Sequence, residues 1–190
     1  MRRVRKCKNS KILLNKWVYK KGDAPNNKAI REVLETEQQG FCAYTEERLS
    51  STYARDVEHF NPNLKNTAKD NYKNWFAVSH KWNNEKGKKW DNFQPLMHPT
   101  ALNFESRLWY EEGVYLTKNN DKKAKNLRDY LCLNDEQLAQ ERKNYIKGLK
   151  DIQNFCDLKT YLKNNPDFIR FPRALETEFG IKLKNILTKK

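Results

Sequence analysis

The sequence predicts an α+β fold: a mostly helical chain around a small strand–strand–helix unit, with a short β-hairpin and a C-terminal helical region. Apolar residues recur at helical spacing in residues 28–39 and again after residue 121, whereas the chain between them holds short apolar segments broken by polar residues and proline. Two alternating segments flank a turn at residues 111–113. Nine Tyr, nine Phe and five Trp allow this chain of 190 residues to bury a core.

The charge and the short apolar runs exclude several classes of protein. There are 38 basic and 24 acidic side chains, a net charge of +14. Such an excess is typical of proteins that bind a polyanionic partner such as nucleic acid, because basic groups that neutralise phosphates release counterions. The alternative interpretation is that the charge serves solubility alone. No apolar run exceeds four residues, whereas a membrane-spanning helix needs about 20. No apolar export segment follows the basic start, so we expect a cytoplasmic protein.

The first half of the chain contains one helix and then the strand–strand–helix unit. Residues 28–39 are predicted as a helix that Gly40 ends. Residues 56–60 look extended until Pro62, and residues 75–78 form a second apolar segment before a polar, helix-competent stretch.

The second half is predicted as a hairpin over residues 106–117 and then helices. One helix spans about 121–132, and Asn134 or Asp135 caps a longer one. Six residues of the longer helix keep three-and-four spacing: Leu138, Arg142, Tyr145, Leu149, Ile152 and Phe155. The leucines, Tyr145 and Phe155 are expected in the core, and Arg142 at the surface or the core edge.

Three segments follow from this order. Residues 1–27 form a basic N-terminal arm, which either lies along a phosphate backbone or is a flexible end. Residues 28–105 hold the polar motifs and form the functional core. Residues 106–190 form the hairpin and the helical C-terminal region.

Glu58, His59 and Asn83 are residue types suited to phosphodiester hydrolysis. Attack on a phosphodiester needs a base for water and a cation for the developing negative charge. Glu58 and Asn83 supply oxygen ligands for Mg²⁺ or Mn²⁺, with waters and phosphate completing the shell. Neighbours on a strand point to opposite faces, so Glu58 and His59 share a site only where the strand twists or ends.

Several short stretches carry a recognisable pattern. They are Cys42-Ala43-Tyr44-Thr45, Val57-Glu58-His59-Phe60, Asn74 and Asn83-Asn84-Glu85-Lys86-Gly87. This pattern resembles an HNH endonuclease with a ββα-metal finger. The likeness extends over about residues 28–150 to the HNH subunit of Septu and retron-associated anti-phage systems, through Gln39-Gly40-Phe41-Cys42-Ala43-Tyr44, Leu131-Cys132-Leu133-Asn134, Leu138 and Arg142.

The resemblance implies an HNH nuclease core with assigned roles. His59 would be the general base, Glu58 and Asn83 would lie at the metal, Asn74 would orient the loop that carries His59, and Lys86 would face the phosphates. It also implies an ABC-type ATPase as a partner subunit. The charge of the arm adds Arg2, Arg3 and Arg5 as expected nucleic-acid contacts.

The chain departs from the family in its cysteines. Many HNH fingers carry two Cys-x-x-Cys pairs that bind structural zinc, but here the pairs read Cys42-x-x-Thr45 and Ser79-x-x-Trp82. One thiolate cannot hold tetrahedral zinc, so we expect no structural zinc and apolar packing by Tyr44 and Trp82. All four cysteines are expected to be reduced thiols.

The residues leave several alternatives open. Asp56 lies two residues before Glu58 and is an alternative ligand. Asn84 is an alternative to Asn83 as the metal ligand. The simpler interpretation of Asn74 is that it is only a turn residue. His80 either reaches a metal or faces solvent. A catalytically silent nucleic-acid-binding subunit, or one that docks an ATPase, is the alternative function, and the sequence does not distinguish DNA from RNA.

Overall fold

The computed structural model describes residues 1–50, 52–87 and 89–187. Over these residues the chain forms eight α-helices and two antiparallel strand pairs, which confirms the α+β class. The helices are α1 (Lys11–Leu14), α2 (Ala24–Glu37), α3 (His80–Lys86), α4 (Phe104–Arg107), α5 (Lys122–Tyr130), α6 (Glu136–Gln153), α7 (Leu158–Asn164) and α8 (Pro172–Phe179). The strands are β1 (Arg55–His59), β2 (Trp75–Ser79), β3 (Leu108–Glu111) and β4 (Val114–Thr117). No helix in these ranges is both long and apolar enough to cross a membrane.

Strands β1 and β2 pair antiparallel and lie between two helices. Glu58 is opposite Phe76 in the register, and His59 is opposite Trp75. Phe76 belongs to the main buried cluster together with Trp82 of α3, whereas Trp75 packs in a second cluster with residues of α2. Because side chains alternate along a strand, each face of this sheet therefore meets a different helix.

The helix before this sheet begins earlier than predicted. Helix α2 starts at Ala24 because the Asp23 side chain accepts a hydrogen bond from the backbone N–H of Asn26 and caps it. It also ends earlier than predicted, at Glu37 with Gln38 as its C-cap. Gln39 and Gly40 then follow with φ of +61° and +78°, a left-handed conformation that glycine adopts without a steric cost.

The predicted hairpin and the helices after it are confirmed with shifted bounds. Glu112 and Gly113, both with positive φ, make the turn between β3 and β4. Asp121 caps α5, and Asp135 rather than Asn134 caps α6.

Two predictions on the longer helix are wrong. Phe155 lies beyond the end of α6 and is 90% exposed. Arg142 is fully buried, where it donates to the carbonyl oxygens of Leu138 and Leu133 and lies over the ring of Tyr115.

The N-terminal segment packs into the fold and is not an arm that reaches outward. Met1 is fully buried in the main cluster, and Ile12 of α1 packs in the cluster that includes α2. The backbone N–H of Val4 donates to the carbonyl of Pro99 over 2.9 Å. The main cluster combines residues of all three predicted segments, among them Met1, Phe76 and Tyr115.

Candidate functional site on the two faces of the strand pair

A polar cluster lies where β1 meets α3. The Oδ2 atom of Asp56 is 2.8 Å from Nδ1 of His80 and 2.8 Å from Nδ2 of Asn83. The Nε2 atom of His80 is 2.9 Å from Nδ2 of Asn84. His80 is half exposed, so this cluster is open to solvent. It unites Asp56, His80 and both asparagines that the sequence offered as alternatives.

Glu58 lies on the same face of β1 as Asp56 but is buried. Its Oε1 atom contacts the ammonium group of Lys86, and both side chains are about 95% buried. Lys86 also lies 3.5 Å from the carbonyl oxygen of His59 and 5.3 Å from the centre of the Tyr130 ring. Burial lowers the pKa of Lys86 to about 8, and contact with a carboxylate works in the opposite direction. In this structure the Lys86 ammonium is therefore paired with the Glu58 carboxylate, and a contact of Lys86 with phosphates stays a prediction.

His59 lies on the opposite face of β1. Its Nδ1 atom is 2.9 Å from Oδ2 of Asp70. The ring packs edge-on against Tyr19, with 4.5 Å between ring centres, and also near Trp75. His59 is 3% exposed, and its Nε2 atom has no hydrogen-bond partner in the part of the chain that the structure describes.

The protonation of His59 follows from this setting. Burial lowers the pKa of His59 below its usual value, and this effect outweighs the raising effect of the Asp70 carboxylate. The imidazole is therefore neutral at pH 7. With Nδ1 against the carboxylate, Nε2 is the nitrogen left to accept a proton.

Asn74 joins the two ends of the loop that follows His59. Its Oδ1 atom accepts from the backbone N–H of Asn61 over 2.8 Å, and its Nδ2 atom donates to the Asn61 carbonyl over 3.1 Å. The same Nδ2 donates to Asp70, which also accepts from the Trp75 indole. Asn74 thus holds the chain two residues after His59 and the carboxylate beside it.

The predicted convergence of His59, Glu58 and Asn83 around one cation is absent from this structure. Glu58 and Asn83 belong to the face covered by α3, and His59 belongs to the face covered by α2 and Tyr19. The cause is strand alternation, since β1 stays regular through His59 and consecutive side chains point apart. Strand β1 ends at His59, and the loop held by Asn74 begins directly after it.

The predicted arginine contacts divide into two kinds. The backbone N–H and the Nε atom of Arg2 each donate to Oε1 of Glu46 over 2.9 Å, so part of its donor capacity is used within the protein. Glu46 is buried and also accepts from the Tyr115 hydroxyl and the Arg173 backbone N–H. Burial alone would raise the pKa of Glu46, but the Met1 amine and the other donors lower it below the usual value. Arg3 and Arg5 lack an acidic partner within 4 Å among the described residues.

The turn at residues 42–45 is packed with aromatic residues. Tyr44 and Trp82 lie in the same buried cluster as Cys42, as the packing prediction requires. The Trp82 indole donates to the Glu47 carboxylate, and Thr45 donates to the same oxygen over 2.9 Å. Within residues 1–50, 52–87 and 89–187, no three His, Cys, Asp or Glu side chains converge as metal ligands. A metal on the α3 face would therefore need amide, water or phosphate oxygens as well.

Sequence reasoning missed Asp70 and Tyr19. Asp70 lies four residues before Asn74, and this spacing is a signal that was available in the sequence. Tyr19 lies 40 residues before His59 along the chain, and no local pattern connects the two.

Comparison of the chain with protein families, with curated proteins and with solved structures finds no match.

Proposed function

We propose that this chain is a metal-dependent hydrolase of the HNH type that cleaves phosphodiester bonds in nucleic acid. The observation that carries the proposal is the polar face between β1 and α3, where Asp56, Glu58 and Asn83 lie along one side of the strand that ends at His59. The net charge of +14 supports a polyanionic substrate.

Mg²⁺ or Mn²⁺ fits the residues of this face. Asp56 and Asn83 would hold the cation, with Glu58 or His80 as a further ligand, since carboxylate and amide oxygens suit Mg²⁺ and an added imidazole suits Mn²⁺. When bound, the cation stabilises the negative charge on the phosphate and the leaving oxygen. Asn83 turns its NH₂ group toward Asp56 in this structure. Holding a cation therefore requires the amide to rotate its oxygen inward.

His59 is proposed to take the proton from the attacking water. Its ring is neutral, Asp70 faces Nδ1, and Nε2 is unused. Asp70 and Asn74 are positioning residues, because they hold the ring and the loop after it. Since Tyr19 covers His59, the Tyr19 side chain has to withdraw before water and substrate reach Nε2.

The proposed position of the scissile bond follows from these contacts. The metal-binding face and the His59 face meet at the end of β1, so the phosphate is placed there, next to the loop that Asn74 holds. This placement reconciles a base and a metal on opposite faces of one strand.

A cleavage assay tests the role of His59. Plasmid, single-stranded DNA and tRNA are incubated with and without Mg²⁺, using the wild type, His59→Ala and the control His98→Gln. We expect His59→Ala to lower the cleavage rate by at least about 100-fold with unchanged binding, as for loss of a general base. Cleavage by His59→Ala at the rate of the control would remove His59 from the mechanism.

The contacts of Lys86 and Tyr19 favour a second candidate function, a catalytically silent subunit that binds nucleic acid or docks an ABC-type ATPase. Lys86 neutralises Glu58, and Tyr19 covers His59. Such a subunit would bind nucleic acid without any metal dependence and give no product under any of these conditions. The ATPase partner is tested by co-expression and gel filtration, where co-elution is expected and separate elution contradicts it.

A further inference from the structure

A groove of about 750 Å³ runs along the N-terminal segment, on a part of the molecule that the proposed chemistry does not use. Most of its lining comes from three parts of the chain, namely residues 2–7 and residues within the ranges 36–43 and 173–184. Seven of its lining residues are basic and come from both ends of the chain: Arg2, Arg3, Arg5, Lys6, Arg173, Lys182 and Lys184.

Three of these cations are already used within the protein. Arg2 is bonded to Glu46, and Lys182 lies 3.4 Å from the Glu176 carboxylate. Lys6 is partly buried, donates to the carbonyl of Trp75 and lies near Glu37. These three side chains are therefore already engaged by acidic or carbonyl groups of the protein.

The other four cations have no such balance. Over the described residues, the charged side-chain groups of Arg3, Arg5, Arg173 and Lys184 have no carboxylate oxygen within 4 Å, and Glu105 is the remaining acidic side chain in the lining. The Nε atoms of Arg3 and Arg173 are buried without a hydrogen-bond partner, so both guanidinium groups keep unused donors. Like charges brought together without partners repel each other, and an anion in the groove relieves that cost.

The lining also indicates how an occupant is recognised. Phe41, the aromatic residue of the lining, is 1% exposed and lies beneath the guanidinium groups of Arg2 and Arg48. It offers no open face on which a base could stack. Recognition in this groove therefore depends on charge and guanidinium donors, which match phosphate oxygens.

We propose that this groove binds the phosphate backbone of a nucleic-acid strand through Arg3, Arg5, Arg173 and Lys184, without reading the bases. The inference rests on the proposed function for the identity of the strand. It adds the C-terminal residues Arg173 and Lys184 to the expected contacts and removes Arg2 from them.

The test compares a groove variant with a variant of equal charge. The groove variant carries Arg3→Ala, Arg5→Ala, Arg173→Ala and Lys184→Ala; Arg173→Ala keeps the backbone bond to Glu46. The control variant replaces four exposed lysines on the C-terminal helices, namely Lys125, Lys147, Lys159 and Lys163, by alanine. Binding of a labelled oligothymidine of roughly 20 nucleotides is measured over a range of salt concentrations without divalent ions.

Each phosphate contact to a single strand contributes about 0.7 to the slope of log affinity against log salt. We expect the groove variant to lose about 3 units of slope and at least tenfold in affinity, and the control to lose less than about 1 unit. Equal losses in both variants would overturn the proposal. If the fourfold variant does not fold, Arg5→Ala with Lys184→Ala, both at exposed positions, replaces it, with an expected slope change of about 1.4.

The result is separable from that of the proposed function. His59→Ala is expected to bind the same strand like the wild type. Salt-dependent binding in the groove with no cleavage would contradict the hydrolase and leave the groove proposal standing.

Discussion

Replacing Lys86 by methionine tests the electrostatic state of the α3 face. The Lys86 ammonium contacts the Glu58 carboxylate, and both groups are about 95% buried. Methionine keeps much of the length of the side chain but removes its charge. Glu58 is then left as a buried carboxylate with no cation beside it, apart from any that it binds from solution.

The expected cost follows from that burial. Removing one partner of a buried ion pair costs about 3–5 kcal/mol, because the other charge stays desolvated. For a chain of this size each kcal/mol lowers Tm by about 2–4 °C, so Lys86→Met is expected to lower it by about 6–20 °C. Lys81→Met, an exposed position on the same helix, is the matched control, with an expected change below about 0.5 kcal/mol.

Adding divalent ions tests whether the α3 face of Lys86→Met binds a metal. If the α3 face binds Mn²⁺, the ion replaces the missing ammonium charge and stabilises Lys86→Met by about 2.7 kcal/mol at 100 times its Kd. The double variant Glu58→Gln, Lys86→Met lacks both charges and is expected to gain less. Urea denaturation at pH 7 with and without Mn²⁺ measures both effects. Equal stability of Lys86→Met and Lys81→Met, or equal stabilisation of the single and double variants by Mn²⁺, would refute the reasoning.

Three further predictions concern stability. Glu46→Ala removes the acceptor for several buried donors and is expected to cost about 3–5 kcal/mol in urea denaturation; a cost below about 1 kcal/mol would contradict this role. Asn74→Ala breaks two hydrogen bonds to the backbone after His59, with an expected cost of about 2 kcal/mol in the same assay, against almost none for exposed Asn63→Ala. Burial lowers the pKa of His59 and lowers that of His98 to about 4. As pH falls, the unfolded chain therefore binds protons at a higher pH than the folded chain does, and the folded state loses stability below about pH 6.5. A flat urea midpoint between pH 7 and 5 would contradict that sign.

The types of the elements followed from local patterns in the sequence. The hairpin and the two helices after it depend on residues a few positions apart, so periodicity and turn chemistry predicted them, with the cap of α6 narrowed to Asn134 or Asp135. The start of α2 was missed because the cap at Asp23 precedes the apolar repeat.

The surroundings of each candidate residue were less predictable. Tyr19 covers His59 from 40 residues away, and Lys86 reaches Glu58 across the α3–β1 contact. Glu46 accepts hydrogen bonds from residues near both ends of the chain. The N-terminal segment, which its charge predicted to be an arm, is therefore packed into the fold. Long-range packing of this kind leaves no spacing signal.

It was predictable that side chains alternate along β1, but not that Glu58 and His59 would therefore lie on different faces of the sheet. Adjacent Glu58 and His59 were expected to share a site only where the strand twists or ends. The structure keeps the strand regular through His59, so the carboxylate and the imidazole face different helices. A base and a metal therefore meet, in the proposed mechanism, at the end of the strand.

The measurement that tests the central proposal most directly is cleavage of an end-labelled strand over a titration of Mg²⁺. The wild type and Asn84→Ala are expected to give product that rises with Mg²⁺ and disappears with a chelator. Asn83→Ala, whose amide faces Asp56 on the proposed metal-binding side, is expected to give little or none while binding the strand normally. Product formation by Asn83→Ala at the wild-type rate, or undiminished cleavage in the presence of chelator, would contradict the account.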